Sequence, residues 1–361
     1  VIVTQPRTAE ARDSTRLTVT YFLGYGLVGL LSAVLGPSMQ TFLAMTGSPL
    51  RTLAILFTAD AFGSVCGSLI AGRLLNRIGT HVQVAVGLVA VAMVLAAIPL
   101  LRWPVALAVL FWALGLAKTF VFVTVNTLLL WVRRAKVGPF INAADFFLGA
   151  GSLVMPLMIG LSITWTGDVR LAYWLVCGCA VALTLWVLRT RAPRPESEQR
   201  GRGGGRHYLM IGGVAVLLFL YVGAEISISG WLPSFVLLRG LTDDAATAAY
   251  FTSLFWVAVT VGRLLWVPFA QRLRPAVIVA SSAAVCALAV ALIVNNASSV
   301  AVVTAGVVTV GLGMSSIFPS AFAMLARRVE MTGMVSGVCL CAASLGAMFF
   351  PWLAGQALTT P

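Results

Sequence analysis

Charge is scarce in this chain. Only 10% of its 361 residues are Asp, Glu, Lys or Arg, where soluble domains average about 25%. Mean hydropathy is +0.99, so a lipid bilayer, not water, is the solvent this composition suits. Acidic residues are the rarest charged class, 11 against 24 basic ones, and there are only two histidines, His81 and His207. The net charge of +13 does not point to nucleic acid, because the arginines sit at the ends of apolar runs. The six cysteines all fall inside apolar runs and form no disulfide framework. The pairs Cys177/Cys179 and Cys339/Cys341 have no histidine or carboxylate at ligand spacing, so no metal site is expected. No nucleophile–base pair and no phosphate loop is visible, and "GLGMSS" (311–316) follows no strand. No enzyme activity and no cofactor is therefore expected.

What the chain has is long apolar runs. Eleven are long enough to span ~30 Å of hydrocarbon: roughly 17–46, 52–75, 82–101, 104–132, 138–163, 170–189, 207–238, 247–269, 275–294, 299–326 and 333–357. Placing the N-terminus on the cytoplasmic side puts eighteen basic residues in inner segments and four (Arg51, Arg102, Arg170, Arg239) in outer ones. Lys118 and Arg263 lie within spans. The segment "RAPRPESEQRGRGGGR" (191–206), rich in proline, glycine and charge, reads as a cytoplasmic linker between a six-span N-terminal bundle (1–190) and a five-span C-terminal one (207–361). The halves resemble each other. "GRLL" recurs at 72–75 and 262–265, and "GSLVMPLMIG" (151–160) shares the spacing G-x-x-x-x-P-x-x-x-G with "GAMFFPWLAG" (346–355). The offsets are 190 and 195 residues, as expected of parallel repeats.

Charges inside spans cost ~2.5–3.5 kcal/mol on insertion scales and are functional candidates by default. There are four of note on the polar side of the ledger: Asp60, Asp145, Glu225 and Lys118. Counted at ~1.5 Å per residue, Lys118 and Asp145 lie at matching depths, so an ion pair between them is expected, with Asp60 as the alternative partner. Such a pair serves either as structural glue or in coupling. Glu225 lies in "YVGAEISISGW" (221–231), where Trp231 and Glu225 suit a sugar: rings stack on its faces and carboxylates accept its hydroxyl protons. Gln40, Asn126, Asn142 and Trp256 are further candidates for a cavity wall, each also explicable by interhelical hydrogen bonding. Gly63, Gly67 and Gly72 allow close helix approach.

"AGRLLNRIGTH" (71–81) resembles the loop between the second and third helices of the major facilitator superfamily, roughly G-x-x-x-D-R-x-G-R-K. Gly72, Arg77 and Gly79 match, and Asn76 replaces the aspartate. Longer stretches are similar to the sodium-dependent glucose transporter-like branch, with fucose permeases more distant: "LSAVLGPSMQTFLAMTG" (31–47), "VNTLLLWV" (125–132), "VGPFINAADFFLGAGSLVMPLMIG" (137–160), "YVGAEISISGWLPSF" (221–235), "AAYFTSLFWVAVTVGRLL" (248–265) and "GLGMSSIFPS" (311–320). The resemblance implies an all-α, multi-pass membrane protein of two pseudo-symmetric six-helix bundles, hence a twelfth helix beyond the eleven. It implies a monomeric secondary transporter of a hexose or similar polyol, moved with Na+ or H+ by alternating access. Gly72, Arg77, Gly79 and Arg263 would serve gating. Three departures bear on coupling: Phe122 stands where the branch is expected to carry an acid, Asp145 where it carries a histidine, and Lys118 where it carries a small residue. A lysine in place of a mobile cation puts sodium coupling in question. The alternatives are a lipid or drug-like exporter of the same fold, and a non-transporting receptor or scaffold.

Overall fold

In the computed structural model, residues 7–74, 78–133, 137–190, 208–270, 272–329 and 333–358 are described. The expected linker 191–206 and Arg77 lie outside them. The described residues are helices and short connections, with no strand among them. The helices are α1 (Arg7–Ser32), α2 (Leu35–Thr46), α3 (Leu50–Leu53), α4 (Ile55–Leu74), α5 (Thr80–Ala97), α6 (Pro104–Arg133) and α7 (Val137–Thr166), then α8 (Arg170–Leu188), α9 (Tyr208–Leu238), α10 (Ala245–Ala270), α11 (Pro275–Asn295), α12 (Val300–Met314), α13 (Ile317–Ala326) and α14 (Gly333–Ala357). Ten spans are long and apolar enough to cross a membrane, or eleven when α1 and α2 are taken as one bent span. This matches the expected runs and makes the chain a multi-pass membrane protein. The first run is not one straight helix. It bends by 44° between α1 and α2, just before Pro37, whose ring and missing N–H disrupt a continuous helix there.

Small residues set the crossings, because apolar lipid gives helices no hydrophobic reason to associate and close packing must supply it. A Cβ on Gly115 of α6 would lie 1.9 Å from the carbonyl oxygen of Asp60 on α4, and one on Gly67 would lie 2.2 Å from that of Leu116. In the second half, a Cβ on Gly311 of α12 would lie 2.8 Å from the carbonyl oxygen of Phe255 on α10. Likewise Gly151 of α7 faces the Gly26 carbonyl on α1 at 2.0 Å, and Gly346 of α14 faces the Phe219 carbonyl on α9 at 1.9 Å. The two proline-containing motifs of the sequence therefore begin, in each half, at the same helix crossing.

The halves meet along α7 with α10 and α4 with α14. The Ser253 hydroxyl donates to the carbonyl of Leu153 at 3.0 Å, and the Thr58 hydroxyl to that of Met348 at 3.1 Å. Donor and acceptor are each shifted by 195 positions, 58 to 253 and 153 to 348, so one bond is made twice. The "GRLL" match is out of step with this register. Gly262 packs on Leu312 and Ser315, as Gly67 packs on Leu116, whereas Gly72 has open space where a Cβ would be. The structural partner of Gly262 is Gly67, and the four-letter identity at offset 190 is a coincidence of composition.

Candidate functional site

A cavity of about 1350 Å³ lies between the halves, walled by α1, α4, α6 and α7 on one side and α9, α10, α13 and α14 on the other. It is lined as far as Gly72, Pro275 and Gly337, which lie at helix ends on one side of the molecule. At the other side the halves are joined. Arg51 donates through Nε to the Gln356 side chain, and Gln356 Nε2 donates back to the Arg51 carbonyl at 3.2 Å. A Cβ on Gly160 would lie 2.3 Å from the Tyr250 ring, and one on Gly355 2.5 Å from the Ala54 Cβ. These glycines close the two proline motifs, one in each half.

Lys118 does not pair with Asp145, as depth had suggested. Its Nζ lies 2.5 Å from Asp60 Oδ2. Depth fixes height along a helix but not the face, and here α4 and α6 are pressed together at Asp60/Gly115, one turn from Lys118. The other carboxylate oxygen, Asp60 Oδ1, is buried without a hydrogen-bond partner among the described residues. Asp145 instead lines the cavity from α7, where it feels the charge of Arg263 on α10. Arg263 also acts on Glu225 of α9. Arg263, expected to serve gating, lines the same cavity as both carboxylates. The Tyr221 hydroxyl donates to Glu225 at 2.8 Å and lies 3.1 Å from the Met314 carbonyl.

The two tryptophan candidates separate. Trp256 lines the cavity and its indole N–H has no partner among the described residues. Trp231 does not line the cavity. Its indole donates to the Pro351 carbonyl at 2.7 Å and its ring packs on Phe57, bridging α9, α14 and α4. Gln40 is likewise away from the cavity lining, on α2 beyond the bend. Asn126 accepts from the Tyr25 hydroxyl at 2.7 Å, an α1–α6 tie, and does not line the cavity. Asn142 and Gly72 do line it; Gly79 caps the start of α5. Thr260 was missed. It lines the cavity one turn from Trp256, with its hydroxyl oxygen also buried and unpartnered. Helical spacing would have found it, since Trp256, Thr260 and Arg263 fall at i, i+4 and i+7 on one face of α10.

Among the described residues, no group of three or more His, Cys, Asp or Glu is arranged to hold a metal ion.

The family model of the Major Facilitator Superfamily matches residues 21–351. Similar curated proteins include the sodium-dependent glucose transporter 1 of Xenopus laevis, 23% identical with 88% of this chain and 71% of that one covered. Another is the major facilitator superfamily domain-containing protein 4A of Danio rerio, 24% identical over 96% of this chain and 83% of its own. Among solved structures, a variant of the nucleoside transporter NupG superposes with a TM-score of 0.77 at 14% identity, covering 95% of this chain and 91% of that one. A D-xylose-proton symporter superposes at 0.73 and 14%, covering 94% and 89%. These structures share the fold.

Proposed function

Because the chain belongs to the major facilitator superfamily, a transporter and not an enzyme family, we propose that it moves a hexose or related small polyol across a membrane by alternating access. Residues 1–190 and 207–361 are the two moving bodies of a monomer, with 191–206 the linker between them. The observation that carries this reading is the cavity: polar side chains of both halves converge on a space that the Arg51–Gln356 contact seals at one side. Glu225 and Asn142 accept and donate to solute hydroxyls. The unpartnered N–H of Trp256 and hydroxyl of Thr260 gain partners when the solute arrives, which favours binding because a buried polar group left unpaired costs ~1–3 kcal/mol. Asp145, Glu225 and Arg263 set the charge that both bodies feel. The excess of basic residues in one set of connections supports a cytoplasmic N-terminus, and with it a cavity that opens inward, in the plasma membrane or an endomembrane. Similarity to transporters named for glucose supports the sugar.

One observation favours a second cargo. Much of the wall is apolar, including Leu31, Phe57, Phe111, Phe122, Phe146 and Phe318, which suits an amphiphile or lipid. Ligand-induced thermal shifts of the purified protein separate the two. Stabilisation by hexoses, lost in Glu225→Gln, supports the polyol reading; stabilisation by amphiphiles alone rejects it.

A further inference from the structure

We propose that Lys118 is a tethered cation: its ammonium holds the seat at Asp60 that a mobile monovalent cation would otherwise take, so that transport by this chain needs no Na+. The two halves supply the argument. The α4–α6 crossing is built by Gly115 against the carbonyl of Asp60, and the α10–α12 crossing by Gly311 against the carbonyl of Phe255. Residues 60 and 255 are counterparts in the 195-residue register. In the second half that position is a fully buried phenylalanine, and the residue three positions past Gly311, as Lys118 is three past Gly115, is Met314. The same crossing thus forms with no charge at all, and the ion pair is not what holds it. The pair is instead turned to the cavity, which both Asp60 and Lys118 line.

The seat is made of oxygen. The Asp60 carboxylate supplies the charge, and one turn along α4 the Ser64 hydroxyl, also on the cavity wall, donates to the backbone carbonyls of Asp60 at 3.0 Å and of Gly115 at 3.4 Å. Carboxylate and hydroxyl oxygens are among the ligands that hard cations choose. Lysine satisfies only one carboxylate oxygen and leaves Oδ1 unpartnered. The close glycine packing keeps these oxygens in place whether or not an ammonium is present. Removing the lysine therefore exposes a preformed, negatively charged seat for a small cation.

The inference depends on the carrier reading only for its consequence in uptake; its test needs no solute. The unfolding temperature of the purified full chain is measured in Na+ and in choline at equal ionic strength. The wild type is expected to show no Na+-specific change. Lys118→Met is expected to rise by ~2–5 °C in Na+, saturably, as ligand binding to the folded state requires. Asp60→Asn added to Lys118→Met is expected to fold, as the uncharged second-half crossing does, and to lose the rise. The proposal is overturned if Lys118→Met gains no Na+-specific rise, or if the wild type already has one that Asp60→Asn removes. Failure of both variants to fold also overturns it, because the pair would then be structural.

Discussion

The two halves share a backbone plan and differ in chemistry. Each packs its first helix on its fifth through a glycine, Gly151 or Gly346, and its second on its fourth, at Gly115 or Gly311. Each reaches across to the other with one hydroxyl, Thr58 or Ser253. The first half then adds an ion pair, Lys118–Asp60, where the second has Phe255. The second places Glu225 and Arg263 on the cavity wall, while among the described residues the first half adds Asp145 there besides Asp60. What the halves have in common is the machinery of crossing and closure. What differs between them is where charge is placed, and on the proposed reading where solute is bound.

That division can be broken. Alanine at Gly151 or Gly346 forces a methyl group onto a backbone carbonyl about 2 Å away. Overpacking of this kind costs ~1–3 kcal/mol, so both variants should unfold several degrees lower, by similar amounts. A loss at one site only would end the equivalence. Glu225→Gln should leave the fold intact and weaken solute binding ~10–100-fold, since hydrogen bonds to charged groups contribute ~1.5–3 kcal/mol. Binding measured by thermal shift or equilibrium dialysis checks it. The tryptophans sharpen the contrast between closure and recognition. Trp256→Phe loses an N–H with no partner, so stability should hold while solute affinity falls ~5–10-fold, about one neutral hydrogen bond. Trp231→Phe loses the bond to Pro351 and should lower the unfolding temperature with unchanged affinity. The smallest effect belongs to Thr58→Ala and Ser253→Ala. Interhelical hydrogen bonds in membranes average ~0.6 kcal/mol, so each should shift the balance between cavity orientations two- to threefold, equally and additively. Accessibility of a cysteine introduced near Gly337 reads that balance.

Hydropathy and the distribution of arginine made the spans legible, because the bilayer demands apolar length and little else. The proline motifs at 151–160 and 346–355 were legible as a repeat, since both of their glycines sit at crossings. The faces of the helices were harder. Lys118 and Asp145 match in depth, yet azimuth decides partners, and the clue to it was the glycine run Gly63, Gly67 and Gly115 that binds α4 to α6. Trp231 and Trp256 are both aromatic residues near polar neighbours. Only the path of α14, which brings the Pro351 carbonyl to the Trp231 indole, separates them. Asn126 looked like a cavity residue because nothing in its own helix shows that Tyr25 reaches it from α1.

The most direct test of the central claim is counterflow. Proteoliposomes holding the chain are preloaded with unlabelled glucose and diluted into labelled glucose without Na+. Alternating access by a sugar carrier is expected to give a transient accumulation of label inside, reduced by Glu225→Gln and unchanged when Na+ is added. Absence of counterflow from protein shown to be folded would contradict a sugar carrier, and counterflow that appears only with Na+ would contradict the tethered cation.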